Sequence, residues 1–132
     1  MGKSKSKGGK HIDCAVAEVD SERQVDNLIM ECVSINLEKL RFAAGLRQNK
    51  VAQGIGLTPK GYGDIEKGKT RFHVTSLFKL VGFYRQVFNK LEMGGDELRY
   101  NDILPPEGWT VEDLEKYIDD WKREKRRIVG ID

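Results

Sequence analysis

The side chains that could do acid–base or nucleophilic chemistry are few and scattered. His11 and His73 stand alone, and no spacing suggests a Ser-His-Asp or Cys-His arrangement. Cys14 and Cys32 have no CxxC spacing and no nearby His, which argues against a zinc site or disulfide scaffold and for reduced thiols. Gly61-Tyr62-Gly63 lies inside a helical pattern, without the strand–loop–helix setting of a phosphate loop. Asp119-Asp120 reads as solvated helix surface. Neither an enzyme nor a cofactor or metal is expected. What the chain does concentrate is cations: Lys50, Lys60, Lys67, Lys69 and Arg71 fall within residues 50–71. Such a run can neutralise phosphates, and each member can equally be a solvated charge.

Two short helical patterns must position those cations, in the run RQNKVAQGIGLTPKGYGDIEKGK at residues 47–69. Val51, Ala52 and Ile55 form the apolar face of the first, Tyr62 and Ile65 that of the second. Gly56 sits where the first should stop, because a residue without Cβ enters the left-handed conformation cheaply. Thr58 then offers a hydroxyl N-cap, and Pro59 fills the first helical position, where its missing N–H leaves no bond unmade. Gly68 marks the second stop. The outline is a helix-turn-helix.

Residues 37–91 carry more than that outline. Arg41 in a first helix, Gly45-Leu46 before Gln48, Ala52 four residues later, Gly56, and Ile65-Glu66-Lys67-Gly68-Lys69 together resemble the Xre-type helix-turn-helix family, the fold of lambdoid phage repressor and Cro DNA-binding domains. The resemblance implies an all-α chain: a five-helix lambda-repressor-like DNA-binding domain with extra N-terminal and C-terminal helices. It further implies that the outward positions early in the second helix read bases. Here those are Pro59, Lys60, Gly61 and Asp64. Lys60 could donate to guanine O6/N7, Asp64 could accept from a cytosine amine, and Pro59 could touch a thymine methyl. Gln48 occupies the position from which relatives reach a phosphate and brace the recognition helix. Lys50, Lys69 and Arg71 are candidate phosphate contacts. Arg41 and Glu66 match a structural ion pair joining the first helix to the end of the recognition helix. Three departures stand out: Gly61 and Gly63 each lower helix propensity by about 1 kcal/mol relative to Ala; Asp64 stands where many relatives carry a polar or basic residue, its carboxylate repelling phosphates unless paired with a base or with Lys60 at the i,i+4 spacing; and Tyr62 replaces a small aliphatic packing residue.

Around this unit, the 132 residues carry a net charge of +2 and 33% charged side chains, so the distribution of charge is more telling than its sum. Residues 1–20 are expected to form a basic, flexible N-terminal arm. The first ten, MGKSKSKGGK, are either a phosphate-wrapping arm or a solubilising leader, and residues 11–20 a short strand or irregular docking segment. Ser21-Glu22-Arg23-Gln24 is a capping-box signature. The stripe Val25, Leu28, Ile29, Cys32, Val33, Leu37 and Leu40 follows it, with a possible break near Ser34 to Asn36. Residues 21–93 are assigned to the helix-turn-helix domain with its N-terminal extension. Thr75 or Ser76 would cap a fourth helix with face Leu77, Leu80, Val81 and Tyr84. A turn near Arg85-Gln86 would separate a fifth carrying Phe88 and Leu91, stopped by Gly94-Gly95. Leu40, Val51, Ile55, Ile65, Leu77, Leu80 and Phe88 would close the core. Residues 94–132 read as a linker and an amphipathic helix, Val111, Leu114, Ile118 and Trp121, that either packs back or dimerises.

No apolar run suffices to span a bilayer, and a cytoplasmic location is expected. The expected function is that of a sequence-specific DNA-binding transcriptional regulator of phage, plasmid or bacterial type, a homodimeric repressor on double-stranded DNA. Its dimer surface would come from residues 25–33 or 111–128. The alternative is a protein-interaction module, an antitoxin or adaptor with a protein partner and a secondary or inactive helix-turn-helix.

Overall fold

Apolar residues recur along this chain at three- and four-residue steps, and the fold follows that period throughout. The computed structural model describes residues 11–69 and 73–129, with side chains described for 24–69 and 73–128. Every regular element among them is helical: α1 (His11–Ala44), α2 (Gln48–Ile55), α3 (Pro59–Glu66), α4 (Val74–Lys90) and α5 (Val111–Val129). Two 3₁₀ turns, Gly95–Glu97 and Tyr100–Asp102, lie between α4 and α5.

At 34 residues, α1 is the spine. The break considered near Ser34 to Asn36 does not occur, because those polar side chains are spent elsewhere. The Ser34 hydroxyl donates to the Glu31 carbonyl at 2.7 Å, and the Asn36 amide donates to the Ile103 carbonyl at 2.8 Å. Neither is left to cap a new helix. Residues 11–20 are helical, which corrects their reading as a strand or irregular segment within an arm ending at residue 20. Ala15, Ala17 and Glu18 are good helix formers, and the alternation there was weak. The capping-box signature at residues 21–24 consequently opens nothing. Residues 1–10 lie outside the described residues.

Two cores flank α1. Val33 and Leu37 join Val51, Ala52, Ile55, Tyr62, Ile65, Leu77, Leu80, Val81, Tyr84, Phe88 and Ile103 in the larger, with Leu40 partly buried against it. On the other side, Cys32 and Ile35 meet Leu114, Ile118 and Trp121 of α5. The segments 25–33 and 111–128, each considered as a dimer surface, thus cover one another within a single chain. The α5 face was too apolar to stay wet, and α1 is what dries it.

The family's fourth and fifth helices are here one. No turn interrupts α4 at Arg85-Gln86, since Tyr84 and Phe88 continue the buried stripe of Leu77, Leu80 and Val81. The helix starts at Val74 with His73 as N-cap, ahead of Thr75 and Ser76. It also ends before Gly94-Gly95: the chain leaves Lys90 through Glu92, a left-handed residue at φ 57°. Gly95 serves a different purpose. A Cβ there would fall 2.1 Å from the Arg85 carbonyl oxygen, so only glycine lets the following 3₁₀ turn press against α4. The Arg85 guanidinium then holds that turn by donating to the Leu98 carbonyl at 2.9 Å. A reciprocal box starts α5: Thr110 N–H donates to the Asp113 carboxylate at 2.9 Å and Asp113 N–H to the Thr110 hydroxyl at 3.2 Å.

Candidate nucleic-acid interface

Three short-range devices set α2 and α3 at a fixed angle. Gly56 takes φ 78° at the end of α2, and the turn closes through Leu57 N–H to the Ala52 carbonyl at 2.9 Å and Gly56 N–H to Gln53 at 3.4 Å. Thr58 caps α3, its hydroxyl accepting from Gly61 N–H at 3.0 Å, and Pro59 opens the helix as expected. Buried Val51, Ala52 and Ile55 face buried Tyr62 and Ile65 across the turn.

A longer-range lock holds α3 to the rest. The Glu66 carboxylate, only 2% exposed, accepts from Arg41 Nη2 at 2.7 Å and Nε at 2.9 Å, and from Gln48 Nε2 at 3.1 Å. Arg41 also donates to the Leu46 carbonyl at 3.1 Å. One anion therefore ties α1, α2 and α3 together. Burial alone would lower the Arg41 guanidinium, but hydrogen bonds and charge from Glu66 outweigh it and raise it above its ordinary value. Gly63 completes the arrangement: a Cβ there would lie 3.3 Å from Gln48 Oε1, so its absence lets the Gln48 side chain lie across α3. The glycine that offers no base-reading group thus serves the contact between the two helices.

Tyr62 is absorbed by the larger core. It is fully buried with Tyr84, which stacks on Phe88 at 5.9 Å between ring centroids. Neither phenol hydroxyl has a hydrogen-bond partner among the described residues. Burial pushes both phenols well above the usual tyrosine range, and for Tyr62 the neighbouring Tyr84 and Glu66 add to the shift.

On the outer side of α3, Pro59 and Lys60 are exposed, Lys60 with 88% of its side chain in solvent, while Gly61 and Asp64 are partly buried. Lys60 Nζ lies 3.2 Å from the Asp64 carboxylate at the i,i+4 spacing. Lys60 thereby offsets the one acid on this face. Lys50 is exposed and shares a shallow concavity with Asn49, Gln53, Leu57 and Pro59. Asn49 and Gln53, polar and exposed one turn apart on α2, join this face without being among the sequence candidates, although their i,i+4 spacing is legible. Lys69 is exposed just after α3. Arg71 lies outside the described residues. Gln48 spends one of its two amide N–H donors on Glu66.

Residues 37–87 match the family model described as Helix-turn-helix. They form an Xre-type helix-turn-helix domain. No curated protein and no solved structure matches the chain. The Xre-type domain begins inside α1, so the N-terminal extension is continuous with its first helix, whereas α5 follows after residues 91–110 and packs on α1. Domains of this type are DNA-binding units of transcription regulators and not an enzyme family. Among the described residues, no helix is long and apolar enough to cross a membrane.

Proposed function

We propose that this protein is a sequence-specific transcriptional repressor that works by occupying its operator, with α3 entering the major groove. The observation that carries the reading is the outer N-terminal face of α3, with Pro59 and Lys60 exposed and Gly61 and Asp64 partly buried, braced from behind by Gln48 and by the Arg41–Glu66 pair. Base readout needs such rigidity, because a bidentate contact rewards only a donor already held in register. Lys50 and Lys69 flank that face and would contact phosphates, as would Arg71.

A homodimer on a palindromic site is part of the proposal, since one recognition helix makes too few base contacts for a unique site. With residues 25–33 and 111–128 packed on each other, the dimer contact falls to large apolar side chains left exposed. Val74 and Phe78 stand one turn apart on α4, and Leu91 and Met93 follow its end. The same exposed Val74 and Phe78 favour the second reading, an antitoxin or adaptor whose partner is another protein.

Binding to DNA upstream of the protein's own gene and to a scrambled duplex, followed by fluorescence anisotropy across a salt series, tests the proposal. A preference of about 10³ or more, weakening steeply with salt, is expected. Equal weak binding to both duplexes would sink it and turn attention to the protein-partner reading.

A further inference from the structure

The C-terminal half of α5 is strongly basic, KREKRR at residues 122–127, and the fold gives it a specific place. Trp121 packs against Phe42 with ring centroids 6.4 Å apart, and both Trp121 Nε1 and Lys125 Nζ donate to Glu38, at 3.1 and 2.8 Å. Phe42 and Glu38 bracket Arg41, the residue that locks α3. The basic end of α5 is therefore laid beside the helix-turn-helix unit. An open groove makes the juxtaposition concrete: Glu31 and Glu38 belong to its α1 floor, Lys122 and Lys125 to one bank, Gln48 and Lys67 to the other.

The cations on this helix end differ in how firmly they are held. Arg123 pairs with Asp120 and Arg127 with Glu124, both within α5, and Lys125 is held by the mostly buried Glu38. Lys122 reaches Glu31 only at 3.7 Å, with both side chains substantially exposed, an arrangement worth little in water. Arg126 is exposed, one helical turn beyond Lys122 and on the same edge of the helix. That edge borders the groove whose far bank carries Lys67, with Lys69 two residues on.

We propose that Lys122 and Arg126 form an accessory site for the sugar-phosphate backbone of duplex DNA flanking the bases under α3. This rests on the DNA-binding reading above. Charge complementarity selects the occupant: the edge offers two cations with weak or no partners among the described residues, across the groove from Lys67 and next to the element that would fix the duplex. The α5 extension would then lengthen the footprint without adding base readout, since phosphate contacts position a protein and carry no sequence information directly.

The test uses the full chain and two duplexes, one ending at the bound site and one carrying about ten further base pairs, one helical turn, on each side. On the longer duplex, Lys122→Gln with Arg126→Gln should make the salt dependence shallower by about 1 to 2 in log–log slope, the loss of one or two phosphate contacts. Its preference for the specific over the scrambled duplex should stay at the wild-type value, and the shorter duplex should show little change. The charge-preserving Lys122→Arg with Arg126→Lys should restore the wild-type slope, and its failure to do so would make the loss structural and overturn the proposal. An unchanged slope in the Gln variant would overturn it too. If the Gln variant keeps the wild-type slope while Lys60→Glu loses the preference for the specific duplex, the accessory site alone is wrong. If wild-type protein binds neither duplex, both readings fall.

Discussion

Arg41 of α1 and Glu66 at the end of α3 are 25 residues apart in sequence and joined at 2.7 Å, in a site where Glu66 is almost wholly buried and Gln48 supplies a third donor. That carboxylate ties the end of α3 to α1 and α2, and its bonds contribute to the stability of the domain. Removing one partner strands the other, which typically costs about 3–5 kcal/mol at a buried site. Glu66→Ala should therefore lower the unfolding free energy by that amount, read as a lower midpoint in urea denaturation. Its DNA affinity should drop only in proportion to the unfolded fraction. A variant with the wild-type midpoint and no DNA binding would assign Glu66 to the interface instead.

Gly95 and Gly82 make a contrasting pair. A Cβ at Gly95 would sit 2.1 Å from the Arg85 carbonyl oxygen and 2.8 Å from the Asn89 nitrogen, both backbone atoms that cannot turn aside. Gly95→Ala should destabilise by about 1–3 kcal/mol, the usual cost of overpacking. Nothing lies within 4 Å of a Cβ at Gly82, exposed in the middle of α4. Gly82→Ala should stabilise by up to about 1 kcal/mol through helix propensity. Thermal melts of the two variants should move in opposite directions.

The α1–α5 core predicts a separation of stability from assembly. Ile118 is buried against Cys32 and Ile35 of its own chain, so Ile118→Ala should cost about 2–5 kcal/mol of folding stability. Sedimentation at native temperature should give the same assembly state as the wild type. A change from dimer to monomer without loss of stability would return α5 to the role of a dimer seam.

Alkaline pH should loosen the same core. Burial, with a smaller contribution from Glu31, pushes the Cys32 thiol up to about 11, against about 8.5 in an unfolded chain. In that window the folded state holds a proton that the unfolded state has released, so stability is complete below about pH 8.5 and falls as pH rises towards 11. The buried phenols of Tyr62 and Tyr84 act in the same direction, beginning only above about pH 10. Denaturation midpoints between about pH 8 and about pH 9.5 should fall for the wild type and stay nearly level for Cys32→Ala. Parallel declines would exclude the thiol as the cause.

How legible this was in the sequence differed by the kind of signal. Gly56, Thr58 and Pro59 act through their own backbone or their nearest neighbours, so the turn between α2 and α3 could be placed to the residue. The i,i+4 pair of Lys60 and Asp64 was readable for the same reason. Ser34, Asn36 and Glu92 show the limit. Ser34 and Asn36 looked like helix breakers until Glu31 and the distant Ile103 carbonyl took their polar groups, and Glu92 adopts a left-handed conformation that two adjacent glycines advertised more loudly. The mutual burial of α1 and α5 was hidden in a similar way. Each stripe announced that it needed a cover, and only tertiary contact identified the other as that cover. Gly63 reads as a gap in α3 until Gln48 is seen lying across it.

The central claim, that the outer face of α3 reads DNA, is tested most directly at Lys60, whose side chain is exposed and pairs with Asp64. Anisotropy titrations of wild type and Lys60→Glu against the upstream duplex and its scrambled counterpart, with melting curves on the same samples, separate readout from folding. The account predicts an unchanged melting temperature, together with loss of most of the preference for the upstream duplex. A Lys60→Glu protein that keeps the full preference would contradict it.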